Sequence, residues 1–447
     1  MAPALLDCNV EFVDGPTDAA GGLRCGGAGR ASAAILGGGG GPGASRRVAS
    51  SEKIAAYLEA MVPRLTIVDP PKQCSLEMVR PVQFPWQSGQ RLDSGTIASV
   101  DNNLFALYAG PYRPTSRSIG CYLVYDADRA HCSLSTIPAV PCSYSCTSIG
   151  CGTIIVRRRR RSAGWSFVLA ELLTDYNSSP AKAVLFLWSQ HRFEGSWVQA
   201  VGRLPAEVCP PTYLFTSYIA FPFRAPGGGS YLCWVDLLYG MLLCDLATAA
   251  SSPDFRFVPL PPGHAIDTTR DSSYQLRPHE FRNMACVAGA IKFLNMDGLT
   301  LTSWTLAPDF SGWTEDTSLS VGDLWADESF LSRGLPQLRP TCPVLGVQQD
   351  VVYLHLLDAE DFDECKPNHV LSVDMRRHKV LSSVEQDIEG ASIWPEVIAT
   401  DIWNAGAMSP AAVEEAAEAW AELQKQGGST GGGIHGNIGS KDSTICT

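Results

Sequence analysis

The chain has 447 residues, 45% of them hydrophobic and 18% charged, and 46 acidic against 34 basic side chains leave a formal net charge of −12. This apolar fraction supports a large core and excludes a disordered or supercharged chain, and the acidic balance speaks against nucleic acid as a partner of the whole molecule. Fifteen cysteines run from Cys8 to Cys446 without the dense spacing of a disulfide framework, which predicts reduced thiols and an intracellular protein, cytoplasmic or nuclear rather than secreted.

Residues 1–50 contain 12 Gly and 10 Ala and no sustained apolar period, so they read as a disordered Gly/Ala-rich tail. They also lack the basic start and apolar core of a secretory signal. Over residues 51–62, Ile54, Tyr57, Leu58 and Met61 fall at helical spacing behind a Ser/Glu start, predicting one short helix before Pro63. From residue 63 to about 400 the texture changes to short apolar runs separated by Gly, Pro, Ser and Asp clusters, the signature of many strands.

Stacked by their turns, these runs repeat. Five units emerge: TIASVDNNLFALYAG with CYLVYDA and LSTIPAVP; GTIIVRRRRRSAGWSFVLAEL with AVLFLWS and WVQAVGRLP; YIAFPFR with YLCWVDLLYGMLLCDL and FRFVPLPP; MACVAGAIKFLNMDG with LTSWTL and WTEDTSLSV; and CPVLGVQQDVVYLHLLD with HVLSVDMRRHKVLSSVEQD. The matched positions Asp126, Ser189, Asp245, Thr305 and Asp374 recur at roughly sixty residues, the order of a kelch-type blade. Such a unit cannot cover both faces alone, so an all-β propeller of about six blades is predicted over residues 63–400. A pair of β-sandwiches would share the strand texture; the repeat favours the propeller. The apolar stretch Tyr231–Ala250 is interrupted by Asp236, Gly240 and Asp245, so it reads as two buried strands around a turn and no membrane is expected. Residues 409–426 set Val413, Ala416, Ala417, Trp420 and Leu423 opposite Glu414, Glu415, Glu418 and Glu422, predicting an acidic amphipathic helix. Residues 427–447 read as a second disordered tail.

No catalytic, metal or cofactor motif emerges. Gly37–Gly41 lacks the Gly-Lys-Ser/Thr of a phosphate loop, and Gly427–Gly431 matches Gly-x-Ser-x-Gly without the strand-to-helix turn which that chemistry needs. Cys132, Cys142, Cys146 and Cys151 beside His131 contain no Cys-x-x-Cys pair to hold one side of a zinc tetrahedron. The acidic run Asp358, Glu360, Asp361, Asp363 and Glu364 lacks the glycine and closing glutamate of a calcium loop and reads as a solvated hairpin tip. Arg157, Arg158, Arg159, Arg160 and Arg161 form the sharpest charge block, read as a second hairpin tip open to partners. In the short turn after Trp234-Val235-Asp236, the aspartate is expected to bond the turn amides and Gly240 to take a positive φ.

The hairpin Cys233-Trp234-Val235-Asp236-Leu237-Leu238-Tyr239-Gly240-Met241-Leu242-Leu243-Cys244-Asp245 resembles the signature of the domain of unknown function 1618 family of grass proteins. Phe255–Pro261, Trp304 and Leu319–Asp323 are similar too, and the likeness is clearest over 232–374. The resemblance implies a plant origin, a propeller-like fold and no established activity; Trp234, Val235, Asp236, Gly240, Cys244 and Asp245 carry it as structural residues. F-box-associated and kelch propellers are similar in architecture, although no F-box pattern precedes the strands. The expectation is therefore a non-enzymatic scaffold for unidentified protein partners. The alternatives are a substrate-receptor-like component of a ubiquitin ligase without its own F-box, and an enzyme whose site is built from propeller loops.

Overall fold

The computed structural model describes residues 2–14, 58, 60–80, 94–109, 121–128, 133–138, 140–141, 152–159, 165–176, 178, 181–209, 213–266, 277–357, 368–386 and 397–402. Among them strands dominate, and the five sequence repeats are five four-stranded antiparallel meanders. The second blade is β4 (Ser94–Asp101), β5 (Leu104–Ala109), β6 (Cys121–Asp126) and β7 (Ser133–Ile137). The third is β8 (Thr153–Arg159), β9 (Trp165–Asp175), β10 (Lys182–Trp188) and β11 (Trp197–Arg203). The fourth is β12 (Ile219–Arg224), β13 (Ser230–Asp236), β14 (Gly240–Asp245) and β15 (Phe255–Pro259). In the fifth, β16 (Arg282–Val287), β17 (Ala290–Asp297), β18 (Thr300–Leu306) and β19 (Trp313–Ser320) follow in order. The sixth holds β20 (Pro340–Leu345), β21 (Val351–Leu356), β22 (Asn368–Asp374) and β23 (Lys379–Gln386).

The first blade is assembled from both ends of the sequence. Its strands are β1 (Ala2–Asp14), β2 (Val62–Thr66), β3 (Gln73–Arg80) and β24 (Val397–Ile402), in the order β24-β1-β3-β2. The front half of β1 pairs antiparallel with β24, Ala2 opposite Ile402, while its rear half lies beside β4 with Val10 opposite Gly95. Its other edge pairs parallel with β3. One strand thus ties the end of the described chain to the second blade. The reading of residues 1–50 as a disordered tail is corrected over 2–14. Leu6, Cys8, Val10 and Phe12 alternate with Asp7, Asn9 and Glu11, a period of two that buries one face. The Gly/Ala-rich average of the longer segment concealed it.

Among the described residues six apolar cores lie between successive blades, and their membership closes the ring. Phe105, Leu107 and Tyr125 meet Leu6, Val10 and Phe12; Tyr108, Tyr122 and Val124 meet Ile155, Leu169 and Phe186; Leu185 and Leu187 meet Leu232, Trp234 and Leu242. Continuing round, Val235 and Leu243 meet Met284 and Phe293; Leu294 and Leu301 meet Leu354 and Leu371; and Val344, Tyr353 and Val370 meet Leu5. Because each blade is flanked on both sides, its middle strands are buried on both faces and read as continuous apolar runs, as in β5 and β21. The fourth strands are the outer ones, and β11, β19 and β23 each bury a single residue, the others being half-buried or exposed. Two short helices, α1 (Val321–Ala326) and α2 (Glu328–Leu331), follow β19 and place Leu324 and Phe330 in the core between the fifth and sixth blades. Their starts are capped by Ser320 and Asp327.

The matched positions fall where the repeat placed them: Asp126, Asp245 and Asp374 end the third strand of their blades, Thr305 is the penultimate residue of β18, and Ser189 directly follows β10. Most of the expected helix over 51–62 lies outside the described residues, although Leu58 is helical and both it and Met61 are buried against β1 and β3. The segments 409–426 and 427–447 lie outside them as well. No described helix is long and apolar enough to cross a membrane.

Candidate functional site

The first strands of the blades face the axis, where a cavity of about 440 Å³ is walled by β4, β12, β16, β20 and β24, with Cys8 of β1. No residue of β8 lines it. In front of the end of β8, Arg224 of β12 reaches across to Asp101 of β4, with Nη2 3.1 Å from Oδ2, and donates to the Arg157 carbonyl at 3.1 Å. The polar wall includes Thr96, Asp101, His279, Asn283, Thr400 and Asp401, and the thiols of Cys286 and Cys342 also line the cavity. Burial pushes the Cys286 thiol up and Cys342 to about 12, so both are neutral and weakly nucleophilic near pH 7. Asn283 Oδ1 accepts the Leu345 amide at 3.2 Å, joining two cavity strands. Among the described residues no three His, Cys, Asp or Glu side chains converge as metal ligands. The expected cysteine cluster, Cys132, Cys142, Cys146 and Cys151 with His131, lies outside the described residues.

At the opposite end of the fourth blade from the Arg224 contact, the signature hairpin is a buried joint. Asp236 is fully buried; its Oδ1 accepts the Leu238 amide and its Oδ2 the Thr216 amide, each at 2.9 Å, and the Tyr213 side chain hydrogen-bonds to it. This bears out the expected bonding of the turn amides. Arg282, from the first strand of the fifth blade, donates to the Leu237 carbonyl at 2.8 Å and to Asn295 Oδ1 at 2.8 Å. Burial raises the Asp236 carboxyl to about 6 despite these donors and the nearby Arg282, and burial lowers Arg282 to about 10. Tyr239 stacks on Tyr213, ring centroids 4.1 Å apart, and on Phe257 at 5.2 Å. Trp234 donates from Nε1 to the Gly152 carbonyl at 2.7 Å, bolting the fourth blade to the entry of β8. Val235 and Cys244 are buried in the flanking cores, and Asp245 accepts the Ala247 amide at 2.8 Å in the turn after β14.

Gly240 departs from expectation in its reason. It is not among the glycines with positive φ; what it needs is space, because a Cβ there would lie 2.5 Å from the Val258 carbonyl oxygen and 2.5 Å from Phe257 Cζ. Gly240→Ala is therefore expected to destabilise the protein by roughly 1–3 kcal/mol through overpacking, read as a lower denaturant midpoint with an unchanged slope. A midpoint equal to wild type would show that the joint yields.

The arginine run is also corrected in part. Arg157 is not at a free tip: it lies in β8, its guanidinium meets Asp126 Oδ1 at 2.8 Å, and its amide donates to Asp101 Oδ2 at 2.7 Å. Strand alternation turns it toward the second blade, where it acts as a strut. Arg158 is partly buried on the opposite face, Arg159 ends β8, and Arg160 and Arg161 lie outside the described residues. The acidic run Asp358, Glu360, Asp361, Asp363 and Glu364 lies outside them too.

Sequence reasoning missed Arg282 and Glu171. Glu171 is buried between the second and third blades, accepting from the Tyr122 hydroxyl at 3.0 Å and from the Thr153 hydroxyl. The available signal was a single acid inside the apolar run of β9.

No curated protein matches the sequence. Among solved structures, the chain is similar to an exo-β-1,3-galactanase from Phanerochaete chrysosporium, with 9% identity over 68% of this chain and 62% of that one and a TM-score of 0.30. The Dos1 propeller gives 10% identity over 66% and 60%, TM-score 0.32, and a putative TolB from Agrobacterium tumefaciens gives 11% over 65% and 88%, TM-score 0.28. The chain spans about three fifths of the length of the galactanase and of the Dos1 structure. The segment from Trp234 of the signature hairpin to Tyr353 of β21, residues 234–353, matches the family described as protein of unknown function (DUF1618).

Proposed function

We propose that the protein is a non-enzymatic interaction scaffold whose partner meets the blade-end turns on the face where β8 and β12 end. The observation that carries this reading is the use made of the buried charged groups. Arg282, Arg157 and Glu171 each join neighbouring blades and Asp236 pins the signature turn to the segment leading into β12, which makes a rigid frame, and short turns on a rigid frame are where recognition residues gather. The same reading places the protein in the cytoplasm or nucleus of a plant cell, where a substrate-receptor-like role in a ubiquitin ligase would use such a surface.

The axial cavity favours a second reading, an enzyme whose substrate sits against Asp101, His279 and Asn283. Cross-linking mass spectrometry of the full chain with plant extract separates the two. A saturable protein complex with cross-links at the turns 189–196 or 375–378 is expected. Turnover of a small substrate that is abolished by Asn283→Ala, with no saturable protein complex, would overturn the scaffold reading.

A further inference from the structure

The end of the third blade presents two arginines, Arg158 and Arg192, that no described carboxylate neutralises. β8 and β10 run in the same direction on either side of β9, so Arg158 near the end of β8 and Arg192 in the β10–β11 turn emerge at one end of the blade. Arg158 lies opposite Ser166 and on the same face as Ile154 and Val156, toward the fourth blade. Its side chain is partly buried, and burial, with a smaller contribution from the charge of Arg192, lowers its proton affinity. Arg192 is exposed, its guanidinium 5.3 Å from the centroid of the Phe193 ring.

Among the described residues, neither guanidinium is paired with a carboxylate. The neighbouring arginines differ: Arg157 is matched to Asp126 and Arg224 to Asp101. Two adjacent cations, one of them sheltered from water, repel each other in a chain of net charge −12 that otherwise supplies acids freely. Guanidinium forks bind carboxylates in bidentate geometry, so an incoming acid relieves the repulsion and satisfies the donors.

We propose that Arg158 and Arg192 form a docking patch for an acidic peptide segment of a partner protein, its Asp and Glu carboxylates seated on the two guanidinium groups. The proposal rests on the scaffold reading and names the chemistry of its partner. A long polyanion such as nucleic acid fits less well, since the overall negative charge repels it beyond the local patch. A short acidic segment meets only the patch.

The test uses the full chain and a short fluorescein-labelled polyglutamate peptide, followed by anisotropy. Binding that weakens with added salt is expected, with a loss of about tenfold or more in the Arg158→Gln/Arg192→Gln double variant. Arg376→Gln/Arg377→Gln, which neutralises two exposed arginines of the sixth blade, is expected to retain wild-type binding. The melting temperature of each variant is measured alongside; if the glutamine variant fails to fold, Arg158→Lys/Arg192→Lys keeps the charge, removes the fork and is expected to bind more weakly. Equal binding by wild type and the folded Arg158/Arg192 variant would overturn the proposal. So would an equal loss in the Arg376/Arg377 variant, tighter binding of a single-stranded oligonucleotide, or binding only after removal of residues 409–447, which would give the patch to the chain's own acidic segment. Partner capture that persists while peptide binding is insensitive to Arg158 and Arg192 would sink this docking patch and leave the scaffold reading standing.

Discussion

Removal of residues 1–14 is expected to leave the chain without a cooperatively folded state. β1 is the central tie of the first blade, bonded to β24 and β4 along one edge and to β3 along the other. It also buries Leu5, Leu6, Val10 and Phe12 to 5% exposure or less. At roughly 1.5–3 kcal/mol for each such side chain, the lost burial is about 6–12 kcal/mol, comparable with the whole stability of a typical domain, about 5–15 kcal/mol. The loss also exposes the edges of three strands, which invites aggregation. Circular dichroism melting and size-exclusion chromatography of the truncated chain should show no cooperative transition or no soluble monomer. Val10→Asp, which keeps the length and places a charge between the first and second blades, is expected to act in the same direction. A truncated protein melting within a few degrees of wild type would show that the ring closes without β1.

Asp236→Ala is expected to cost roughly 3–5 kcal/mol, because it orphans the Thr216 amide and the buried Leu238 amide and leaves Arg282 without its nearby countercharge. The pH dependence gives a second readout. The folded carboxyl titrates at about 6 against an ordinary value of 3.8, so between roughly pH 4 and 6 the folded protein holds a proton that the unfolded chain has released. Stability from this group is therefore greatest below that window, declines as pH rises through it, and is level above. The gap corresponds to roughly 3 kcal/mol at most. Asp236→Asn removes the titration, so the difference in unfolding free energy between wild type and this variant should move in favour of wild type as pH falls from 7 toward 4. Parallel pH profiles would show that Asp236 does not titrate in this range.

Five of the six blades were legible in the chain because each is a local meander. Its strands are neighbours in sequence, its middle strands are buried on both faces and so read as apolar runs, and the third-strand position recurs from Asp126 to Asp374. The signature hairpin was legible for the same reason: Asp236 bonds an amide two residues away. The reason for Gly240 was not, since the atoms that forbid a side chain there belong to Phe257 and Val258 of the next strand.

What the sequence by itself determined was therefore the repeat, its strand texture and the turns that a few neighbouring residues dictate. The tertiary structure alone decided how the ring closes and which charges are structural. The first blade joins Ala2 to Ile402, a pairing with no local trace beyond the alternation of Leu6, Cys8, Val10 and Phe12. In the arginine run, five like residues look equivalent until strand alternation turns Arg157 to Asp126 on the second blade and Arg158 to the opposite face, toward the fourth. Periodicity is a property of adjacent residues and can be read along a chain. Charge pairing and ring closure depend on distances between residues far apart in sequence, which exist only once the blades have packed.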